Sequence, residues 1–482
     1  MSVRPRFACS AAPRRLPLLL ATALLLGSSL PAVSAPRALA AQDHAAVVGL
    51  REDYLSASYW IDRLAQPDAL ILDRAEIAAQ NAKMHALDPS IHDLRAIPAT
   101  LKRDWVRQQI EGLAGAPTRT LYGQDGQPVS AGVIAATLAS RNLDGIAASA
   151  PARHGLVVHR ADLRTFPTTL RVFNSAGDTD IDRWQESALF PGDAVVVLHE
   201  SADGQWYFVA SERYQAWVEK KHIGIGDAAT VFGYGQGDDY RVVTGATART
   251  VHTPEEPRVS NLQLDMGVKV PVLANWPAAQ NINGQQSHAH WVIQLPVRND
   301  DGSLALVPAL LPRSADTSAD YLPLTGRNLL TQAFKFLGER YGWGHSYDTR
   351  DCSGFVSEIY RSFGILLPRN TSSQGISPAL DRIAFDAGST TAQRQAAVTG
   401  LQPGDLVYIP GHVMMTIGTA DGLTWMIHDT NGGSFLGLDG KRVSAQLNGV
   451  SVTPLEPMLA SDTATYVDRM TNIQRIRNTG KQ

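Results

Sequence analysis

The sequence predicts a multidomain α+β chain. Its parts are a helical N-terminal segment, two small β-barrels, and a C-terminal domain in which a helix packs on an antiparallel sheet. Three observations predict this. At 482 residues the chain is too long for a single core. Near residue 154 its texture switches from Ala- and Leu-rich helical segments to short β-rich runs. Beyond residue 325 helical apolar stripes return, followed by strand-like runs bounded by glycine or aspartate. A hydrophobic share of 44% and a charged share of 18% describe an ordinary folded protein.

Residues 1–40 read as a secretory signal peptide. Arg4, Arg6, Arg14 and Arg15 precede an apolar run from Leu16 to Leu26, and small residues follow. Ala35 and Ala40 both end A-x-A-like cleavage sites. The run is short for a membrane span, and no cysteine follows it to carry a lipid. The expected location is therefore the periplasm or the medium, with no membrane association after cleavage. Five arginines and no acid leave with this segment, so the net charge goes from −3 to about −8. With no basic patch, a nucleic-acid partner is not expected. Of the two cysteines, Cys9 leaves with the leader and Cys352 stays. A lone thiol in an oxidising compartment can form no internal disulfide, and it is a liability unless it has a use.

Residues 41–150 read as a helical stabilising segment. Leu72 to His85 and Leu101 to Leu113 are its clearest helices, and Asp73 and Glu76 acidify the start of the first. No constellation of catalytic residue types occurs here.

Residues 151–226 carry short strands, among them Ala194 to Leu198, Trp206 to Val209 and Ala216 to Val218. Asp-Gly, Pro-Gly and polar clusters separate them, as in a small all-β barrel. The runs Pro191 to Val195, Asp203 to Trp206 and Tyr214 to Val218 resemble a bacterial SH3 domain. Residues 227–324 repeat the texture in Val268 to Leu273 and His290 to Leu295, with a turn at Asp300-Asp301-Gly302. They read as a second, divergent SH3-like barrel. His288 and His290 share one strand face but lack a third ligand, so no metal is expected, and no other cofactor is either. Gly233-x-Gly235-x-Gly237 has no helix after it and does not fit a dinucleotide turn. Asn370-Thr371-Ser372 fits a glycosylation acceptor by pattern only.

Residues 325–482 carry the chemistry. Leu329, Leu330, Ala333, Phe334 and Leu337 form an amphipathic helix leading to Tyr341. In Asp351-Cys352-Ser353-Gly354-Phe355, Asp351 stands at an N-cap position and Cys352 at the first helical residue. Phe355, Ile359 and Phe363 then form one buried stripe. A thiol at that helix end is expected to have a lowered pKa. Downstream, His412 and His428 each lie in a strand-like run. The polar stretch from Pro368 to Gln402, with Arg369, Ser372, Ser373 and Gln374, is placed along the cleft. A helix-borne cysteine, a strand-borne histidine and a second polar residue orienting it follow the logic of cysteine nucleophilic catalysis.

Tyr341-Gly342-Trp343-Gly344, Asp351 to Phe355, Gly404-Asp405-Leu406 and Gly411-His412-Val413 together resemble the NlpC/P60 family of papain-like cell-wall peptidases. His345 departs from the pattern, standing where family members usually have a second glycine. The resemblance implies Cys352 as nucleophile, His412 as base and acid, and Tyr341 as an aid to the oxyanion. It implies His428 as the residue orienting the base, with Asp429 or Asn431 if the register slips. In SH3-bearing members that cleave peptides with a free N-terminal L-alanine, the aspartate before the cysteine binds the ammonium, and an acid and a tyrosine from the first SH3 domain complete the pocket. The matching residues here are Asp351, Asp193 and Tyr214, with Ser353 also on the substrate. The implied substrate is a peptidoglycan stem peptide or muropeptide, cut at its γ-D-glutamyl–diamino acid bond. An amidase or acyltransferase on the same fold, or a non-hydrolytic wall-binding protein, remain the alternatives.

Overall fold

The computed structural model describes residues 47–437 and 440–477. The leader predicted at residues 1–40 lies outside the described residues. Among these, no helix is long and apolar enough to cross a membrane.

The N-terminal segment contains helices α1 (Arg74–Leu87), α2 (Arg103–Leu113) and α3 (Ala131–Ala139). Asp73 and Glu76 form a reciprocal capping box at the start of α1. The segment divides between two cores. Tyr54, Trp60, Ile77 and Met84 join the core of the C-terminal domain. The Tyr54 ring meets Trp425 edge-on at 4.7 Å, and Leu70–Leu72 pairs with Leu324–Thr325. By contrast, Leu101, Val106, Ile110 and Ile146 pack with Trp206, Phe208 and Trp217 of the first barrel. The stretch read as one helical segment thus sends its apolar faces to two different neighbours.

The first barrel has seven antiparallel strands: β1 (Arg153–Val157), β2 (Ala161–Arg164), β3 (Gln185–Leu189), β4 (Ala194–Glu200), β5 (Trp206–Ala210), β6 (Gln215–Glu219) and β7 (Ile223–Gly226). They run in the order β7-β1-β4-β5-β6-β2-β3. The second β module has its own core around Val243, Leu264, Val270, Ile293 and Leu311. Its longest hairpin joins β8 (His290–Arg298) to β9 (Leu304–Pro312) through the predicted Asp-Asp-Gly turn.

In the C-terminal domain, α4 (Gly326–Phe334) and α5 (Cys352–Arg361) pack on a six-stranded antiparallel sheet. The strands are β10 (Asp381–Ala384), β11 (Leu406–Ile409), β12 (His412–Ala420), β13 (Leu423–Thr430), β14 (Gly449–Pro454) and β15 (Asn472–Arg475), in the order β10-β15-β11-β12-β13-β14. Phe355, Ile359 and Phe363 are fully buried, as the stripe requires. This burial fixes the position of the helix start. The stretch after α5 is not all groove border: Arg369 and Gln374 are buried.

Candidate active site

Asp351 caps α5, its carboxylate accepting from the Gly354 N–H at 2.8 Å. Cys352 follows as the first helical residue and is 4% exposed. Its Sγ lies 3.5 Å from the Thr371 hydroxyl. Strand β12 runs alongside with His412 at its first position. Opposite it, β13 carries His428 and β14 carries Thr453. Register places these three residues on successive diagonals of one sheet face. His412 Nε2 is 2.7 Å from His428 Nδ1, and His428 Nε2 is 2.9 Å from the Thr453 hydroxyl. Asp429 takes no part in this chain: both its carboxylate oxygens are buried with no hydrogen-bond partner. Asn431 lines a cavity that also includes Tyr341 and His412.

The electrostatics differ from the sequence expectation. Burial and the adjacent Asp351 carboxylate push the Cys352 thiol up to about 12, against the Thr371 hydroxyl and the Val413 N–H. Burial pushes the His412 imidazole down to about 4, and His428 well below its ordinary value. The pair at rest is therefore a neutral thiol and a neutral imidazole, not the thiolate expected from the helix terminus. Desolvation of a sulfur this deeply buried, with the Asp351 carboxylate beside it, favours the protonated thiol.

Asp351 is ionised despite its burial. Burial alone would raise its pKa, but Arg369, His345 and the Gly354 N–H hold it at about 2. Arg369 reaches Asp351 at 2.9 Å, the Ser353 hydroxyl at 2.9 Å, the Ser187 hydroxyl of β3 at 2.7 Å and His345 Nδ1 at 2.8 Å. A guanidinium only donates, so His345 Nδ1 accepts and its Nε2–H donates to Glu358 at 3.0 Å. Glu358 in turn accepts from Arg350, which also holds Glu339 and Asp265. The unexpected histidine is thus a link in a buried charge chain running from the cap of α5 to the second β module. It sits in the left-handed region at φ 65°, a strained conformation that surrounding contacts must enforce. Gly344 beside it also has positive φ, and a Cβ there would meet Gln185 of β3 at 2.9 Å.

The first barrel approaches the site through β3. Trp343 Nε1 donates to the Gln185 carbonyl, and the Gln185 amide donates to the Gly344 carbonyl. Tyr214 donates to Glu186 at 2.5 Å, and the Thr165 hydroxyl also donates to Glu186 at 2.5 Å. The carboxylate that Tyr214 donates to is therefore that of Glu186, while Asp193, the acid the sequence suggested, lines a cavity with Tyr214, Ser187 and Arg369 without bonding to the tyrosine. Asp193 accepts from the Phe190 N–H at 2.8 Å and pairs with Arg361 at 3.0 Å. Arg361 is the last residue of α5, about 13 Å along the helix from Cys352 at 1.5 Å per residue. The period-2 alternation of β3 was the only sequence signal for Glu186: Gln185 and Ser187 turn inward, and Glu186 between them is part-exposed. No group of three or more His, Cys, Asp or Glu side chains among the described residues is arranged to hold a metal.

Residues 171–219 match the SH3 domain (SH3b1 type), and residues 338–448 match the NlpC/P60 family. A Bacillus cereus protein named gamma-D-glutamyl-L-lysine dipeptidyl-peptidase is 27% identical over 269 residues, which is 52% of this chain and 68% of that protein. A Listeria welshimeri protein named "Probable endopeptidase p60" is 36% identical over 81 residues, 17% of this chain and 13% of its own length. In fold, the chain is similar to an NlpC/P60 endopeptidase from Photobacterium damselae subsp. piscicida. That likeness has a TM-score of 0.67 at 17% identity and covers 87% of this chain and 96% of the other. The cysteine-bearing helix, the histidine-bearing sheet and the matched segments agree: residues 338–448 carry an NlpC/P60 peptidase domain, and residues 171–219 ahead of it an SH3 domain.

Proposed function

We propose that this protein is an exported cysteine endopeptidase of peptidoglycan stem peptides. It hydrolyses the γ-D-glutamyl–diamino acid bond of peptides with a free N-terminal L-alanine. The observation that carries the reading is the chain Thr453–His428–His412 at the start of α5, which leaves His412 Nδ1 as the ring atom free to face the thiol.

Cys352 gives its proton to His412 Nδ1 as the sulfur adds to the γ-carbonyl carbon of D-glutamate. The oxyanion that forms lies at the helix N-terminus, where the backbone N–H of Cys352 and the Tyr341 hydroxyl are the candidate donors. His412 then gives its proton to the departing amine, and the C–N bond breaks to leave a thioester. Water, deprotonated by His412, attacks the thioester, and the sulfur leaves and recovers its proton.

The free N-terminus is read by charge. Glu186 accepts two hydroxyl hydrogen bonds, and no cation pairs with it among the described residues. An ammonium supplies that missing charge. Asp351 contributes from the other side, with Arg369 already on it. The Bacillus cereus relative is named for the same γ-D-glutamyl bond.

The test is incubation of the full chain with L-Ala-γ-D-Glu-diamino acid peptides and mass analysis of the products. Release of the dipeptide L-Ala-γ-D-Glu is expected. Cys352→Ala is expected to release none while melting like the wild type; retained turnover in that variant would refute the mechanism.

A further inference from the structure

The cavity that Asp193 shares with Tyr214 has a volume of about 460 Å³. Cys352, Asp351 and Glu186 do not line it, whereas Arg213, Arg361 and Tyr321 do. Arg213 stands in the turn between β5 and β6. It is half-buried and has no hydrogen-bond or ion-pair partner among the described residues. Arg361 pairs with Asp193 through Nη2 at 3.0 Å, while its Nη1 is buried with no partner. Arg369 lines the cavity as well. Burial first, then Arg361 and Arg369, push the Arg213 guanidinium down to about 10, against the pull of Asp193 and Glu212. The acids around the cavity are already engaged. Arg361 and the Phe190 N–H hold Asp193, His85 lies 3.3 Å from Glu212, and the Arg95 N–H donates to Asp93.

We propose that this cavity is a binding site for a small organic oxyanion, a phosphate or a carboxylate, held between Arg213 of the first barrel and Arg361 of the catalytic domain. The site is separate from the peptidase chemistry, because Arg361 lies at the opposite end of α5 from Cys352. An unpaired guanidinium beside two others is a charge that the fold leaves uncompensated. A guanidinium offers paired N–H donors that match two oxygens of a carboxylate or phosphate. A bound oxyanion takes the donors of Arg213 and Arg361 Nη1 together, and the Tyr321 hydroxyl is a neutral donor at the same cavity. Phosphate alone fills only part of this volume. Leu94, Val231 and Phe232 line the remainder, so the ligand carries an apolar portion beside its charge. Arg213 directly precedes Tyr214, and the bound anion therefore ties the turn that carries Tyr214 to the catalytic domain.

Inorganic phosphate and succinate are the probes, titrated into the full chain by calorimetry at neutral pH and constant ionic strength. Saturable binding of at least one is expected, with a Kd of about 0.1–1 mM, and its melting temperature should rise with it. The tighter probe identifies the source: phosphate points to a phosphorylated ligand, succinate to a dicarboxylate. Arg213→Met removes a guanidinium that bonds to no other described residue. That variant should melt like the wild type or slightly higher without anion, and lose about tenfold or more in affinity. Arg361→Gln should also weaken binding, and Arg213→Met carries the test if loss of the Asp193 pair unfolds that variant. Failure of folded wild type to bind either anion saturably would overturn the proposal. So would an affinity left unchanged by Arg213→Met. Neither measurement involves turnover, so the result is independent of the peptidase reading.

Discussion

His412 Nε2 lies 2.7 Å from His428 Nδ1, and the direction of that hydrogen bond is set from its far end. The Thr453 hydroxyl lies 3.3 Å from the Met458 sulfur, to which it donates, so it accepts from His428 Nε2. His428 Nδ1 is then an acceptor, and His412 carries its proton on Nε2. His412 Nδ1 is left with a bare lone pair. His428 therefore fixes the His412 tautomer as well as its ring position. His428→Ala should lower kcat by about a hundredfold or more with little change in KM. Thr453→Val keeps the shape but removes the acceptor, and a drop of about tenfold in kcat is expected. Steady-state kinetics on the stem peptide check both.

The pH profile follows from two buried neutral groups. His412 accepts a proton only near pH 4, and the thiol releases its own only near pH 12. The acid limb of kcat/KM should therefore fall near pH 4 and not near 6.5. Iodoacetamide should react slowly with Cys352 at pH 7. Stability moves as well. Between about pH 6.5 and 4 the unfolded chain binds protons at these histidines that the folded chain refuses, so stability falls as pH drops through that window. The slope is up to about 1.4 kcal/mol per pH unit for each histidine. Above pH 9 the unfolded thiol ionises while the folded one keeps its proton, so stability also falls as pH rises. Urea midpoints across pH check both limbs.

In the function proposed above, Glu186 and Tyr214 discriminate free from blocked N-termini. Glu186→Gln keeps the hydroxyl partners but removes the charge. It should raise KM for the free-alanine peptide by about tenfold or more and leave the N-acetylated peptide little changed. Tyr214→Phe should act in the same direction, more weakly. Asp193→Ala should leave the ratio unchanged, because its carboxylate is engaged with Phe190 and Arg361. Comparison of kcat/KM for the two peptides decides the matter.

The local half of this site was legible in the sequence, and the tertiary half was not. The Asp351 cap, the Phe355–Ile359–Phe363 stripe and the two histidine strands follow from period and capping chemistry. Glu186 and Thr453 could not be found that way, nor could the contacts of Arg369 beyond its place along the cleft, because each acquires its role through residues far away in the chain. Glu186 sits 28 residues before Tyr214. Arg369 meets Ser187 across a domain boundary that no periodicity encodes. The thiol pKa was misjudged for a related reason: a helix start is visible in sequence, but the depth of burial around it is not.

Arg350 is fully buried and holds Glu358, Glu339 and Asp265 at once. Removing the cation leaves three carboxylates without their shared partner. The Arg350 guanidinium also lies over the Phe336 ring, 4.5 Å from its centroid; Arg350→Met preserves most of the volume and that packing, and should still destabilise the fold by about 3–5 kcal/mol. Arg350→Met with Glu358→Gln and Asp265→Asn should recover part of that loss. Urea denaturation followed by tryptophan fluorescence measures it, and additive effects of the three changes would contradict a single coupled network.

Trp60, from the N-terminal segment, is buried against Trp425 of β13, with ring centroids 6.3 Å apart. Its indole N–H donates to the Tyr54 carbonyl at 2.8 Å. The bulge between Thr416 and Gly418 in β12 makes room for the ring. Gly418 has φ 149°, and a Cβ there would meet the Trp60 ring at 2.9 Å. The segment before the barrels therefore closes the same core whose sheet carries His412. Trp60→Ala should destabilise the protein by about 3–5 kcal/mol, and Gly418→Ala by about 1–3 kcal/mol through overpacking against a ring that cannot retreat. The first effect should appear as loss of activity at elevated temperature with kcat intact in the cold. A Trp60→Ala protein that melts like the wild type would show that the N-terminal segment is an appendage and not part of the catalytic core.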